Sequence, residues 1–399
     1  MKIRSLEARP ILDSRGVWTL ETTLTLQDGV RVTASVPQGK STGSSEARSL
    51  PAAVAVRNVN RGIAPKLQKK SFRNQEMFDE YLVKLDHTAN KSRLGANAIL
   101  ATSIAFVRAN AKANHVPLWK HVREVYGLPV HHSRDLAHPR LFINVVNGGL
   151  HAGNNLHFQE YLVIPKCRTI KESVDVGLAI YQALGEALAR TKGKTATNLG
   201  DEGGYAPNFK DDLEPFHILH SVVRKLKLSK KVDLGLDAAA TDIKRVNPKA
   251  LRATYERLIK NYGLTYIEDP FDEEDFLSFA ALTMHCGKNA WIVGDDLTTT
   301  NIRRMERAHA EGSVNAVIIK PNQIGSVTEA LDAVRAARKY GWAVVASHRS
   351  GETNDDFIAD FAYGVGADGL KLGAPARGER IAKYNRLLEI EREESQERG

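Results

Sequence analysis

From Pro139 onward the sequence keeps one rhythm: a short apolar run ends on a polar or charged residue, a helix-like segment follows, and the next run begins. The runs are LFINVVNGG, EYLVIP, VDLGLDAAA, LTYIEDP, AWIVGDD, NAVIIKPNQ, WAVVASHRS and DGLKLGAP. Short buried strands separated by helices build a mostly parallel sheet, and eight are enough to close it. The polar ends keep the same beat. Asp237 to Glu268 spans 31 positions, followed by 27 to Asp295, 25 to Lys320, 28 to His348 and 23 to Lys371. Each step fits one strand, one helix and their loops, and such a barrel carries its chemistry at the carboxyl ends of its strands. The expected fold is α/β, with an eight-stranded α/β barrel over residues 136–399.

The first third reads differently. Alternation in TLETTLTLQDGVRVTASV, broken at Asp28-Gly29, predicts an antiparallel hairpin. NAILATSIAFVRANAKANH then places apolar residues at helical spacing. An N-terminal α+β domain over residues 1–135, acting as a lid or cap, is therefore expected ahead of the barrel, and 399 residues are enough for both. No apolar stretch reaches the roughly 18 residues of a membrane helix, and the first residues lack the apolar core of a secretory signal. The expectation is a cytoplasmic protein with no membrane partner. Cys167 and Cys286 stand far apart and outside any CxxC pattern, which supports neither a disulfide framework nor a thiolate zinc site. The formal charge of +9 is scattered, so no nucleic-acid partner is expected, while an anionic small substrate is compatible with it.

Asp237, Glu268 and Asp295 end three successive strands, so their carboxylates are expected to converge above the barrel. Such a trio repels itself unless a cation neutralises it, and oxygen-only ligands favour magnesium over zinc. An ion-pair network with lysines is the alternative. Lys320 ends the next run; near bound cations its pKa is expected to fall toward the range of a general base, the alternative being a structural salt bridge to Asp295 or Glu268. Arg349 and Ser350, after His348, offer donors suited to a phosphate, and Lys371 adds a cation. Glycines flank His151 and Glu202, as in loops that approach a ligand closely. Glu160 and Glu202 are candidates for a carboxylate pair in which proximity raises one pKa, leaving a protonated acid opposite the lysine. Read alone, Glu202 could equally be a turn carboxylate and His151 an ordinary loop histidine.

These residues sit in motifs. ILDSRG at Ile11, STG followed by EA at Ser41, NKSRLGANAIL at Asn90, NGGLHAGNN at Asn147, GDEGGYAPN at Gly200, IEDPF at Ile267, GDDLTTTN at Gly294, IKPNQIGS at Ile319, SHRSGET at Ser347 and LKLGAP at Leu370 run in order along the chain. The series closely resembles the enolase family over residues 4–390. The resemblance implies a magnesium-dependent dehydration of 2-phosphoglycerate to phosphoenolpyruvate, with two Mg2+ ions per active site, the second bound with substrate. By motif, Asp237, Glu268 and Asp295 resemble the ligands of the first ion. Lys320 resembles the base acting at C2, and Glu202 the acid assisting departure of the C3 hydroxyl, with Glu160 beside it. Arg349 and Ser350 resemble the phosphate contacts, and His151, His348 and Lys371 line the same pocket. The resemblance also implies a homodimer or a larger ring.

It also settles how to read VPQGKSTGS at Val36. The fragment GKST has the look of a nucleotide-binding loop, but the first glycine of that motif is replaced by Ala34. In enolases the equivalent loop is a mobile lid whose serine reaches the second magnesium, and Ser41 is the match. Gln38 and Lys40 depart from the family pattern, placing an extra cation in the lid. They motivate a rival reading, an enzyme resembling carboxyphosphonoenolpyruvate synthase of phosphonate biosynthesis. That enzyme class joins a phosphonoformyl donor to a phosphoglycerate-type acceptor, and Lys40 would meet the added anionic group. The chain also lacks a segment of about ten residues with an LRD signature after Glu46-Ala47.

Overall fold

The computed structural model describes residues 1–40, 43–127, 138–243 and 247–398. Strands β1 (Ile3–Leu12), β2 (Trp18–Leu26) and β3 (Arg31–Ser35) form an antiparallel sheet in chain order. The turn between β2 and β3 falls at Asp28-Gly29: Gly29 has φ +93°, and the Asp28 carboxylate accepts the Val30 N–H at 3.0 Å. From Leu20 onward β2 alternates buried and half-buried residues, the mark of a sheet covered on one face. The helix Ala96–Ala113 covers that face, and 15 of its 18 residues are buried. A helix buried nearly all round must lie inside the molecule, between the sheet and what packs behind it.

The remaining strands are β4 (Arg140–Asn147), β5 (Glu160–Pro165), β6 (Val232–Asp237), β7 (Leu264–Glu268), β8 (Trp291–Gly294), β9 (Ala316–Ile319), β10 (Ala343–Ser347) and β11 (Gly369–Lys371). They close into a barrel in the order β10-β11-β4-β5-β6-β7-β8-β9. All eight coincide with the apolar runs of the sequence. Period two then divides each strand. Phe142, Leu162, Ile164, Tyr266, Val293, Ala316, Ile318 and Val345 pack together in the barrel interior, whereas their neighbours Ile143, Val163, Ile267, Ile292, Ile319 and Ala346 belong to the outer core. Each such side chain withdrawn from water contributes about 1.5–3 kcal/mol before entropy is counted.

One expectation fails. β5 runs antiparallel to both β4 and β6, and the segment before it holds a single 3-10 turn, Gly149–His151, in place of a helix. Residues 148–159 are too few to carry the chain back outside the barrel as a full helix with its loops, and they include Gly148, Gly149 and Gly153. The reversal brings the first residue of β5 to the end of the barrel where the other strands finish: Glu160 pairs with Asp237, and Asp237 with Glu268.

The N-terminal region is bound to the barrel by charges that are individually answered. Arg108 from the long helix makes a two-pronged contact with Asp355 at 2.7 and 2.9 Å and reaches Asp356 at 2.8 Å. Buried Lys91 pairs with Glu329 at 2.8 Å. Asp79 accepts from the Thr328 N–H and hydroxyl at 2.9 and 2.7 Å. The expected boundary at residue 135 lies outside the described residues, as does Ser41. Among the described residues both cysteines are free and buried, and no helix is long and apolar enough to cross a membrane.

Candidate active site

The strand ends and the reversed β5 gather buried charge at one mouth of the barrel. Lys371, the last residue of β11, is 2% exposed and sits among carboxylates: Glu268 at 2.7 Å, Glu160 at 3.1 Å and Asp237 at 3.2 Å. Burial would lower its pKa, but Glu160, Glu268 and Asp237 outweigh that and hold it well above the usual lysine value. Glu268 itself is pushed up to about 8 by burial and by the neighbouring Asp237. Its Oε2 is taken by Lys371 and the Tyr266 hydroxyl, while its buried Oε1 has no hydrogen-bond partner among the described residues.

Asp295 faces elsewhere. One carboxylate oxygen pairs with the Lys320 ammonium, and the other accepts the Gln323 amide at 2.9 Å. Burial would raise its pKa, yet Lys320 holds it below the usual range. The sequence expectation of three carboxylates meeting at a point is thus met only in part: Asp237 and Glu268 share Lys371, and Asp295 is turned onto Lys320. For Lys320, burial lowers the pKa, but the attraction of Asp295 prevails and the net shift is upward. Among the described residues, the carboxylate and histidine groups whose ligand atoms lie within 4.8 Å of one another are His151–Glu160–Glu202 and Asp269–Asp295–Asp296.

The donor chemistry nevertheless suits a hard divalent cation. Asp237, Glu268 and Asp295 offer only oxygen, stand at the ends of adjacent strands, and are three anions answered by two ammonium groups, with one buried oxygen left over.

Across the mouth lies a second group. His151 Nδ1 is 3.4 Å from Glu202 and 3.7 Å from Glu160, and His348 Nε2 is 3.4 Å from Glu202. The two carboxylates are driven apart. Burial and the charge of Glu202 hold Glu160 well above the usual range. Burial would also raise Glu202, but His348, His151 and the Arg380 charge bring it well below, and the Asn144 amide donates to it at 3.0 Å. The pair is thus pushed in opposite directions, Glu160 upward and Glu202 downward. Burial lowers both histidines, His348 to about 3.

Arg349 turns its guanidinium onto Glu46, with contacts of 3.0 and 3.1 Å. Ser350 Oγ accepts the Lys40 N–H at 2.8 Å, while the half-exposed Lys40 ammonium pairs with Asp201 at 3.1 Å. One small cavity touches Gly39, His151, Glu160, Glu202, Asp237, Lys320, His348, Arg349, Ser350 and Lys371. β5 and β9 are four places apart in a ring of eight, so Glu160 and Lys320 face each other across that cavity. The cavity also touches Gln159, which sequence reasoning passed over although it precedes Glu160 in the same motif; its amide donates to Asp237 at 3.4 Å. Gln323 was equally legible inside IKPNQIGS. Glu46 stands in the motif that begins at Ser41, but its pairing with Arg349, 303 positions away, had no signal in the sequence.

With this geometry in hand, comparison with known proteins is informative. Residues 3–122 match the family model described as "Enolase, N-terminal domain", and residues 136–398 match "Enolase, C-terminal TIM barrel domain". Proteins named enolase from Solanum lycopersicum and Methanopyrus kandleri are 40% and 42% identical, each over 98% of this chain and 95% of their own length.

Proposed function

The chain belongs to the enolase family and is a lyase of the phosphopyruvate hydratase type, and from that premise we propose that it dehydrates 2-phosphoglycerate to phosphoenolpyruvate with magnesium. The observation that carries this reading is the single cavity with Lys320 on one side and the Glu160–Glu202 pair on the other. A β-elimination of water needs a base at C2 and an acid at C3, held apart on opposite faces of one small anion.

In this reading Lys320, neutral once Asp295 no longer pairs with it, takes the C2 proton on its Nζ. The electron pair left behind forms the C2–C3 double bond, and the C3 hydroxyl leaves as water with a proton from the Glu160–Glu202 pair. Proton loss beside a carboxylate builds charge on the substrate carboxyl group, which Lys371 meets from within the barrel. Arg349 and Ser350 bind the phosphate, with Arg349 exchanging Glu46 for the more highly charged oxygens. His151 and His348 flank the acid pair and orient it. Asp237, Glu268 and Asp295 would hold one Mg2+, and Ser41 would contribute to a second that arrives with substrate; such ions would supply positive charge opposite the charge that develops on the substrate carboxyl group.

The phosphonate-forming alternative rested on Gln38 and Lys40, with Lys40 as a spare cation. Lys40 is engaged with Asp201, and nothing else favours that reading. A cytoplasmic location and a homodimer accompany the proposal. Leu12, Val17 and Trp18, at 54%, 47% and 60% exposure around the β1–β2 turn, supply apolar surface for a second copy. The domain division at residue 135 likewise stays a proposal.

The test is an assay of purified protein with MgCl2 and 2-phosphoglycerate, following phosphoenolpyruvate by its absorbance. Rapid, magnesium-dependent turnover is expected. A folded protein that makes no phosphoenolpyruvate would sink the reading.

A further inference from the structure

Arg380 is the third residue of the closing helix Gly378–Arg398, and its side chain is 0% exposed. A cation in the first turn of a helix opposes the helix dipole, and a fully buried guanidinium demands strong compensation. Its nearest carboxylate oxygen, on Glu379, is 3.5 Å away. The compensation comes instead from the active site. Nη1 lies 2.7 Å from His348 Nδ1 and 2.6 Å from the Arg349 carbonyl, while Nη2 lies 2.7 Å from the Ser350 carbonyl and 3.3 Å from that of Asp201.

An arginine can only donate, so His348 Nδ1 must accept and the ring proton must sit on Nε2. That N–H lies 3.4 Å from Glu202, close but short of a well-formed hydrogen bond, and has no other hydrogen-bond partner among the described residues. Space for the arrangement is provided by Gly373: at its φ of +78°, an added Cβ would stand 2.7 Å from the Glu202 carbonyl, 3.0 Å from His348 Cε1 and 3.1 Å from Arg380 Cδ.

We propose that Arg380 is a positioning residue for the dehydration: it locks His348 in the Nε2–H tautomer that presents a donor to Glu202, and fixes the backbone carrying Arg349 and Ser350. The part concerning catalysis rests on the function proposed above, whereas the tautomer does not. Arg380 touches no substrate atom and acts through the residues that do.

Two measurements separate these parts. The first is the 15N spectrum of the histidine side chains in the intact protein, with the His348 signals assigned by their loss in His348→Gln. The wild type is expected to show His348 as the Nε2–H tautomer, and Arg380→Met a mixture of tautomers. An Nδ1–H ring in the wild type overturns the proposal even if no variant folds. The second is steady-state kinetics with 2-phosphoglycerate. A misplaced acid group costs on the order of a hundredfold in rate, so Arg380→Met should lose about that in kcat with KM changed severalfold at most, and Arg380→Lys, which restores one donor, should recover part of it. If Arg380→Met keeps both the tautomer and kcat, or if Arg380→Lys and Arg380→Met lose rate and thermal stability to the same degree, the residue only supports the fold. Wild-type protein inactive on 2-phosphoglycerate would refute the proposed substrate while leaving the spectrum as a test of the Arg380–His348 contact.

Discussion

Two gatherings of charge in this molecule are built on opposite principles. At the seam between the N-terminal region and the barrel, Arg108 and Lys91 each meet a carboxylate at 2.7–2.8 Å, and Asp79 accepts from the Thr328 hydroxyl at 2.7 Å. At the barrel mouth, carboxylates outnumber the cations facing them, Glu268 Oε1 is left unmatched, and Glu160 and Glu268 are held protonated more readily than ordinary carboxyls. Buried polar groups are costly when unanswered, so a satisfied cluster serves the fold, and an unsatisfied one is maintained for a visitor. The contrast predicts that damage at the mouth costs activity and damage at the seam costs stability.

The largest effect is expected from withdrawing the visitor. Chelation with EDTA should abolish phosphoenolpyruvate formation, added Mg2+ should restore it, and saturating metal at 100 times its Kd should raise the unfolding free energy by about 2.7 kcal/mol. A metal-stripped protein with undiminished turnover would break the comparison at once. Next comes Lys320→Met, for which loss of the base should lower kcat by up to about 10⁴-fold while unfolding in urea stays a single cooperative transition.

The seam should behave in reverse. Arg108→Leu leaves Asp355 buried without its partner, whose pull now outweighs burial and holds that carboxyl below its usual range. The loss should be about 3–5 kcal/mol from the urea midpoint, with kcat nearly unchanged at temperatures where the protein is folded. A stability change under 1 kcal/mol would show that the seam is not held by this pair.

The smallest effect concerns Asp79. Burial raises its pKa to about 6 despite hydrogen bonds from Ser103, Thr328 and Gln75. Since the folded state binds this proton more tightly than the unfolded chain, Asp79 lowers stability as pH rises from about 4 through 6, by about 3 kcal/mol in all. Asp79→Asn should remove that slope, so the difference in unfolding free energy between the two proteins should drift across this window. Parallel curves would rule out titration of Asp79 there.

The sequence made the barrel legible because its strands are short, continuously apolar and evenly spaced, and because the fold sets chemistry at strand ends: Asp237, Glu268, Asp295, Lys320, His348 and Lys371 all lie there. Direction was not legible. An apolar run such as EYLVIP reads alike both ways, and only the missing helix before it betrays the reversal of β5. Partnerships were less legible still. Glu46 with Arg349, Lys371 with three carboxylates and Arg380 with His348 join residues distant in the chain, and no periodicity records who faces whom. The opposite pKa shifts of Glu160 and Glu202 follow partnership too, since the downward one depends on two histidines and an arginine arriving around Glu202.

The reversed strand has one more consequence. In an ordinary barrel repeat the chain leaves the catalytic face, descends along a helix and starts again from the far end. Here β4 ends and β5 begins on the same rim, so residues 148–159 never leave it. A graft or extension made in that span would remodel the reaction chamber while the surrounding shell of helices keeps its threading, which makes it the natural place to re-engineer what this scaffold accepts.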